Sequence, residues 1–208
     1  MYQNNGLRRM LSVPWIYEQF QNLTGAVQAR RWMAEKYWRL KAGEKVIDIG
    51  CGPGVIFNSL PQGVTYIGFD ISETYIKKAQ ELYGSQATFL VSTAGELLKK
   101  PDARFNNADL VLCNGLLHHL SDEESLDVLR FAHSVLEPGG RLVCEEPSFL
   151  IKQRWLSRFV MNLDRGNYVR QERAWKELIG QVFQSYTTDI STAQAYIPYV
   201  HIIIECRK

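Results

Sequence analysis

The sequence predicts an α/β fold: a doubly wound, mostly parallel seven-stranded sheet with helices on both faces and a helical cap. Three observations carry that expectation. From Glu44 onward short β-rich runs alternate with helical patterns, as parallel strands joined by crossover helices do. The first run ends in a cluster of glycines, Gly50, Gly52 and Gly54, where open α/β sheets receive ligands. The last two β-rich runs have too few residues between them for a helix, so they should pair as an antiparallel hairpin.

Taken in order, residues 7–40 read as one or two amphipathic helices broken near Thr24-Gly25 and rich in aromatic side chains. The strand candidates of the alternating region are Lys45–Ile49, Thr65–Phe69, Thr88–Val91, Asp109–Cys113 and Gly140–Cys144. Between them Ser72–Tyr83, Ala94–Lys99 and Asp122–Leu136 place apolar residues at helical spacing. Ser72 and Ser121 stand where N-caps belong, and Glu124 completes a Ser-x-x-Glu capping box. Pro138-Gly139-Gly140 should close the last of these helices. Val182–Ile190 and Tyr199–Cys206 form the expected hairpin. Residues 150–180 are longer than a plain crossover requires.

A length of 208 residues, 46% hydrophobic and 22% charged, suits one well-buried globular domain. We divide that single domain, 1–208, into an amino-terminal cap (1–41), a ligand-binding core (42–149), a cap insertion (150–181) and a terminal hairpin (182–208). Four scattered cysteines form no CxxC pair, which argues against zinc and a disulfide framework, so no metal site is expected. The amino terminus has no signal-like apolar stretch, and no window has the roughly 18 apolar residues of a membrane span. Cytoplasm is the expected location. The net charge of +2 is unevenly distributed: residues 1–41 carry +5 and residues 151–177 carry +4, leaving −7 elsewhere.

The strongest local signal is Val46-Ile-Asp-Ile-Gly-Cys-Gly-Pro-Gly54. Glycines in this turn let a ligand approach the backbone. Asp70, twenty residues after Gly50, can accept both hydrogen bonds of a ribose 2′,3′-diol. A nicotinamide dinucleotide would need G-x-G-x-x-G/A, and the sixth position is Val55. Asp48 would also repel a pyrophosphate, whereas it suits the ammonium of a methionine moiety.

At these residues the chain resembles the seven-stranded, Rossmann-like S-adenosylmethionine-dependent methyltransferases, over about residues 42–150. Asp48-Ile-Gly-Cys-Gly-Pro-Gly54 is similar to the family's first motif, and Asp70 to its ribose-binding acid, with Ile71 where the family packs adenine. Ala108–Leu120 and Leu136–Leu142 resemble the approaches to its fourth and fifth strands. The resemblance implies strand order 3-2-1-4-5-7-6 with only the last strand antiparallel. It also implies S-adenosylmethionine as cofactor, with S-adenosylhomocysteine as product, held by Asp48, Gly50, Cys51, Gly52, Gly54, Asp70, Ile71, Thr93, Ala94 and Asn114. Thr93 stands near the position where the family often has an Asp on the adenine amine.

Methyl transfer from a sulfonium is an in-line displacement, so positioning matters most and a base assists with a hydroxyl or protonated amine. His118 and His119 follow the fourth strand at the expected cleft mouth, and His119 matches a recurrent family position; both are candidate catalytic groups. Glu145 and Glu146 follow the fifth strand, and Glu146 is a candidate acceptor contact. Asp164-Arg-Gly-Asn-Tyr-Val-Arg170 should turn at Gly166 and bring Arg165, Tyr168 and Arg170 together, suited to an anionic acceptor. Tyr17 should close the pocket. Asn114-Gly-Leu-Leu117 lacks the Asn/Asp-Pro-Pro-aromatic run of base-amine enzymes, and a pI near 8.3 is low for a dedicated nucleic-acid binder. The favoured acceptor is a small or lipid-like molecule. A nucleic-acid or protein methyltransferase, or a non-catalytic cofactor-binding subunit, is the alternative.

Overall fold

The computed structural model describes residues 26–149, 168–191 and 200–208. Chain order runs α1 (Ala26–Met33), a π turn (Ala34–Trp38), β1 (Lys45–Ile49), β2 (Thr65–Asp70), α2 (Glu73–Tyr83), β3 (Thr88–Val91) and α3 (Ala94–Lys99). It continues through β4 (Ala108–Asn114), α4 (Asp122–Val135), β5 (Leu136–Phe149), β6 (Arg170–Gln171), α5 (Glu172–Ile179), β7 (Ser185–Ser191) and β8 (His201–Arg207).

The sheet order is β3-β2-β1-β4-β5-β8-β7, with the two-residue β6 beside β5. Setting β6 aside, this is the expected 3-2-1-4-5-7-6. Strands β1 to β5 pair in parallel, and β8 runs antiparallel to both β5 and β7. Capping residues start the helices as their chemistry requires. The Ser72 hydroxyl accepts from the Tyr75 N–H, and Ser121 and Glu124 form a reciprocal capping box. Thr93 and Glu96 form a second capping box that begins α3.

Two apolar layers hold the sheet. One face buries Ile47, Phe69, Val111 and Cys144 beneath α3, α4 and α5, with Phe69, Phe105 and Phe131 packed edge-on at 5.4–5.7 Å between centroids. The other face buries Val46, Tyr66, Leu110 and Val143 under α1, the π turn and α2. On α2 the buried residues are Ile76, Ala79 and Tyr83, the three- and four-residue spacing of one helical face. The four cysteines are all buried and free.

Several strand bounds and the placement of two helical segments differ from the sequence reading, and packing explains the main ones. β5 does not end at Cys144 but continues to Phe149, because β8 pairs with it through Pro147 and β6 pairs with Ser148 and Phe149. Glu145 and Glu146 therefore lie within a strand, not after it. β7 starts at Ser185 instead of Val182, because the Val182 and Phe183 N–H groups donate to the Ile179 carbonyl and finish α5. The described part of the amino-terminal cap lies flat on a sheet face rather than over the strand ends. There Met33 and Trp38 are buried, and the Arg141 guanidinium donates to the Tyr37 and Trp38 carbonyls at 2.8 and 2.6 Å. Helix α5, which falls within the expected cap insertion, likewise buries Trp175, Leu178 and Ile179 against the other face. Large apolar stripes gain roughly 1.5–3 kcal/mol per side chain when taken out of water, so they cover the sheet. No helix among the described residues is long and apolar enough to cross a membrane.

Candidate active site

The turn after β1 is built on three left-handed glycines, Gly50 (φ 70°), Gly52 (φ 53°) and Gly54 (φ 74°). The Gly50 and Cys51 N–H groups donate to the Phe69 carbonyl at 2.8 and 3.1 Å, which ties the turn to β2. The glycines serve different neighbours. A Cβ on Gly54 would lie 2.7 Å from the Phe89 ring, whereas one on Gly52 would meet nothing within 4 Å. Gly52 thus leaves an open approach to the backbone.

Asp70, at the end of β2, braces this turn. Its Oδ2 accepts from the Gly52 N–H at 3.0 Å, and its Oδ1 accepts from the Ser72 N–H at 2.8 Å. Each oxygen retains a lone pair for a diol hydroxyl. Ile71 beside it is 76% exposed, a large apolar surface available for a planar ring. Asp48 is only 1% exposed, and its Oδ2 accepts from the Tyr66 hydroxyl at 2.6 Å. Burial pushes the Asp48 carboxyl up to about 7, against the Tyr66 hydrogen bond, with the Asp70 charge adding to the rise. A cationic ligand group would offset that desolvation. Burial also pushes the Cys51 thiol up, so it stays protonated.

Asn114 closes β4. Both its Oδ1 and its Nδ2 are buried without a hydrogen-bond partner. Unpaired buried amides are rare and costly, so this group fits a ligand that supplies both a donor and an acceptor. Thr93 and Ala94 lie beyond β3, where the Ser92 N–H donates to the Asp70 carbonyl. The Thr93 hydroxyl is engaged as the α3 cap, accepting from the Glu96 N–H at 3.2 Å.

After β4 the chain turns over Glu146. This fully buried carboxylate accepts from the N–H groups of Leu116 (3.0 Å), Leu117 (2.8 Å) and His118 (3.2 Å), and lies 2.7 Å from His118 Nδ1. His118 is 5% exposed, while His119 is exposed with its ring 4.0 Å from the His118 ring. Glu146 thus shapes the histidine turn from beneath. Its four hydrogen bonds within the protein correct the expectation of a direct acceptor contact.

Arg170 needs a similar correction. Its Nε and Nη2 donate to Asp122, its Nη1 to the Leu117 and Tyr168 carbonyls, and its Nη2 also to the Leu120 carbonyl. All five donors are occupied, and its guanidinium carbon lies over the Trp175 ring, 4.8 Å from the centroid. It is a strut between β6 and the histidine turn. Tyr168 is half exposed and its N–H donates to the His118 carbonyl at 2.9 Å. Tyr17 and Arg165 lie outside the described residues. The structure therefore gathers the glycine turn, Asp48, Asp70, Ile71 and Asn114 along the carboxyl ends of β1, β2 and β4. Beside them it sets His118, His119, Glu146 and Tyr168. Sequence reasoning missed Tyr66: it stands two residues before Gly68, the β2 partner of Asp48, and so shares a face with that acid, which only the strand register reveals.

Comparison with known proteins agrees with this arrangement. Residues 40–192 match a family described as "Methyltransferase domain". A ubiquinone biosynthesis O-methyltransferase from Pseudomonas syringae pv. tomato is 33% identical over 105 residues, covering 49% of this chain and 43% of the relative. The chain thus aligns with less than half the length of that relative. Among solved structures, a SAM-dependent methyltransferase from Archaeoglobus fulgidus superposes with a TM-score of 0.69 at 19% identity, covering 94% of this chain and all of the other. A TehB-like SAM-dependent methyltransferase from Corynebacterium glutamicum gives 0.63 at 16% identity, over 92% and 96% of the two chains. The chain belongs to the Rossmann-like S-adenosylmethionine-dependent methyltransferase family. Its cofactor is S-adenosylmethionine, and the glycine turn, the Asp70 carboxylate and the unpaired Asn114 amide fit that molecule.

Proposed function

We propose that this protein transfers the methyl group of S-adenosylmethionine to an oxygen of a small-molecule acceptor held above the carboxyl ends of β4 and β5. The observation that carries the reading is the buried, unpaired Asn114 amide, one strand away from the Asp48 carboxylate and beside the histidine turn. The cofactor supplies a methyl already activated by a positive sulfur, so the protein's task is alignment. Asp48 receives the ammonium of the methionine moiety, Asp70 the ribose diol, and Asn114 the polar end that satisfies its amide. His119, exposed at the mouth, contacts the acceptor hydroxyl and takes its proton, while His118 and Glu146 fix the turn. An O-methyltransferase among the relatives favours oxygen as the methylated atom.

The test is methyl transfer from isotopically labelled S-adenosylmethionine to a panel of phenols, catechols and carboxylic acids, with products identified by mass. Methylation of an oxygen, lost in His119→Ala with S-adenosylhomocysteine affinity unchanged, is the expected result. Methylation only of protein or nucleic acid would overturn the reading.

A further inference from the structure

Alternation along the strands places a second polar group in the same cleft. On the α1-facing side of the sheet, Val46, Leu112 and Val143 belong to the apolar core. Two residues further along each strand come Asp48, Asn114 and Glu145, and a two-residue step returns a side chain to the same face. Asn114 and Glu145 therefore form a polar pair one step above Leu112 and Val143, while Asp48, whose β4 partner is Leu112, stands on the same face one step lower. Register sets Asn114 directly beside Glu145 and opposite no other residue of β5. Adjacent strands lie about 4.8 Å apart, so Glu145 stands one strand from the unpaired amide and three strands along from Asp48's own neighbour β2. The Gly115 N–H donates to the Glu145 carbonyl at 2.8 Å, fixing the pair in place.

Glu145 is largely shielded from solvent. Its side chain is 20% exposed, and its Oε1 is 3.3 Å from His201 Nδ1 on β8. His201 shares the face, two residues before the buried Ile203. Three charged or titratable groups act on Glu145: Glu146 on its own strand, Arg30 from α1 and His201 from β8. Burial first, and the Glu146 charge second, push the Glu145 carboxyl up to about 7, and Arg30 opposes the rise. A cationic acceptor would meet Arg30 and His201 as well as the carboxylate. A neutral, strongly donating hydroxyl suits the site better, and a phenol is a stronger donor than an alcohol while staying un-ionised near pH 7.

We propose that Glu145, braced by His201, forms a hydrogen-bond-accepting subsite for a phenolic hydroxyl of the methyl acceptor. This rests on the methyltransferase reading above and names the acceptor class. The bond is charge-assisted when Glu145 is ionised, so binding should strengthen as pH rises through about 7. A carboxylate that only supported the fold would give no such pH dependence in ligand affinity.

The experiment is calorimetry of 4-methylcatechol, neutral between pH 6 and 8, added to the full chain saturated with S-adenosylhomocysteine. The wild-type protein should bind it, severalfold more tightly at pH 8 than at pH 6. Glu145→Gln, nearly isosteric, should bind about tenfold more weakly and lose the pH dependence. His201→Asn should fall between the two and keeps the test alive if the first variant misfolds. S-adenosylhomocysteine affinity should be the same in all three. Equal catechol affinity in wild type and Glu145→Gln would overturn the proposal. So would the absence of catechol binding while S-adenosylhomocysteine still binds, and that result leaves the methyltransferase reading standing. Failure of S-adenosylhomocysteine to bind at all would overturn both.

Discussion

Truncating Glu146 to alanine tests whether the histidine turn is held from below. The carboxylate accepts from three backbone N–H groups and pairs with the His118 ring, at 2.7–3.2 Å. It is completely buried, as is Leu117, and His118 is nearly so. Removal leaves those donors facing a small cavity. Each orphaned buried donor costs about 1–3 kcal/mol, but the losses do not add, because Leu116 is only half buried and a water can enter. With three backbone donors and the His118 ring orphaned and partly compensated, the expected total is about 3–5 kcal/mol. For a chain of this size that lowers Tm by about 6–20 °C. Glu146→Gln keeps the shape and one acceptor oxygen but aims an amide N–H₂ at the donor-rich side, so about half the loss should remain. Urea unfolding, followed by fluorescence and fitted with a common slope, measures both. A Glu146→Ala protein within about 1 kcal/mol of wild type would refute the argument, since the turn would then be holding itself.

The remaining predictions concern the cofactor, the strut and pH. Asp70→Ala should weaken S-adenosylhomocysteine binding by about 2–4 kcal/mol, from loss of two diol bonds and of the Gly52 brace, measured by calorimetry. Arg170→Gln should lower Tm by several degrees by releasing Leu117, Leu120 and Asp122, with less effect on acceptor KM than on stability in steady-state and thermal-melt assays. Asp48 is lifted from an ordinary 3.8 to about 7, so the folded state binds its proton more tightly than the unfolded state does. Its contribution to stability is fully present below pH 3.8 and is lost as pH rises through about 7. Asp48→Asn should therefore make the cofactor-free protein more stable than wild type at pH 8, by a few kcal/mol at most, and equal to it near pH 4. The same variant should bind S-adenosylhomocysteine more weakly, an exchange of affinity for stability that unfolding curves and calorimetry together would show.

How much of this was legible depended on how local each cause is. β1, β3 and α3 have the bounds that the sequence implied, because short β-branched runs, glycines and caps decide them within a few residues. The capping box at Ser121 was readable for the same reason. The fate of the arginines was not. Arg170 is held by groups about fifty residues earlier, and a basic residue in a polar stretch looks the same whether its donors face a ligand or the protein. Glu145 and Glu146 were legible as a pair but not as opposites. Only the extension of β5 by pairing with β8 and β6 sends them to different faces, one beneath the histidine turn and one toward α1. Amphipathic helices were visible ahead of the core, yet amphipathicity alone does not say which apolar surface a helix will cover.

The glycine turn itself is two-sided. Gly54 backs onto the ring cluster of Phe57, Tyr66, Tyr83 and Phe89, while Gly52 opens outward. The side chain of Tyr66 in that cluster also holds Asp48, so the wall that rejects a methyl group at Gly54 is the wall that positions the acid. A shift of these rings would move the carboxylate with them. In the proposed site, tightness of the aromatic floor and recognition of the sulfonium's amino acid end are thereby made one mechanical property. Changes that loosen the floor, even conservative ones such as Phe89→Leu, should therefore be felt at the cofactor before they are felt in the sheet.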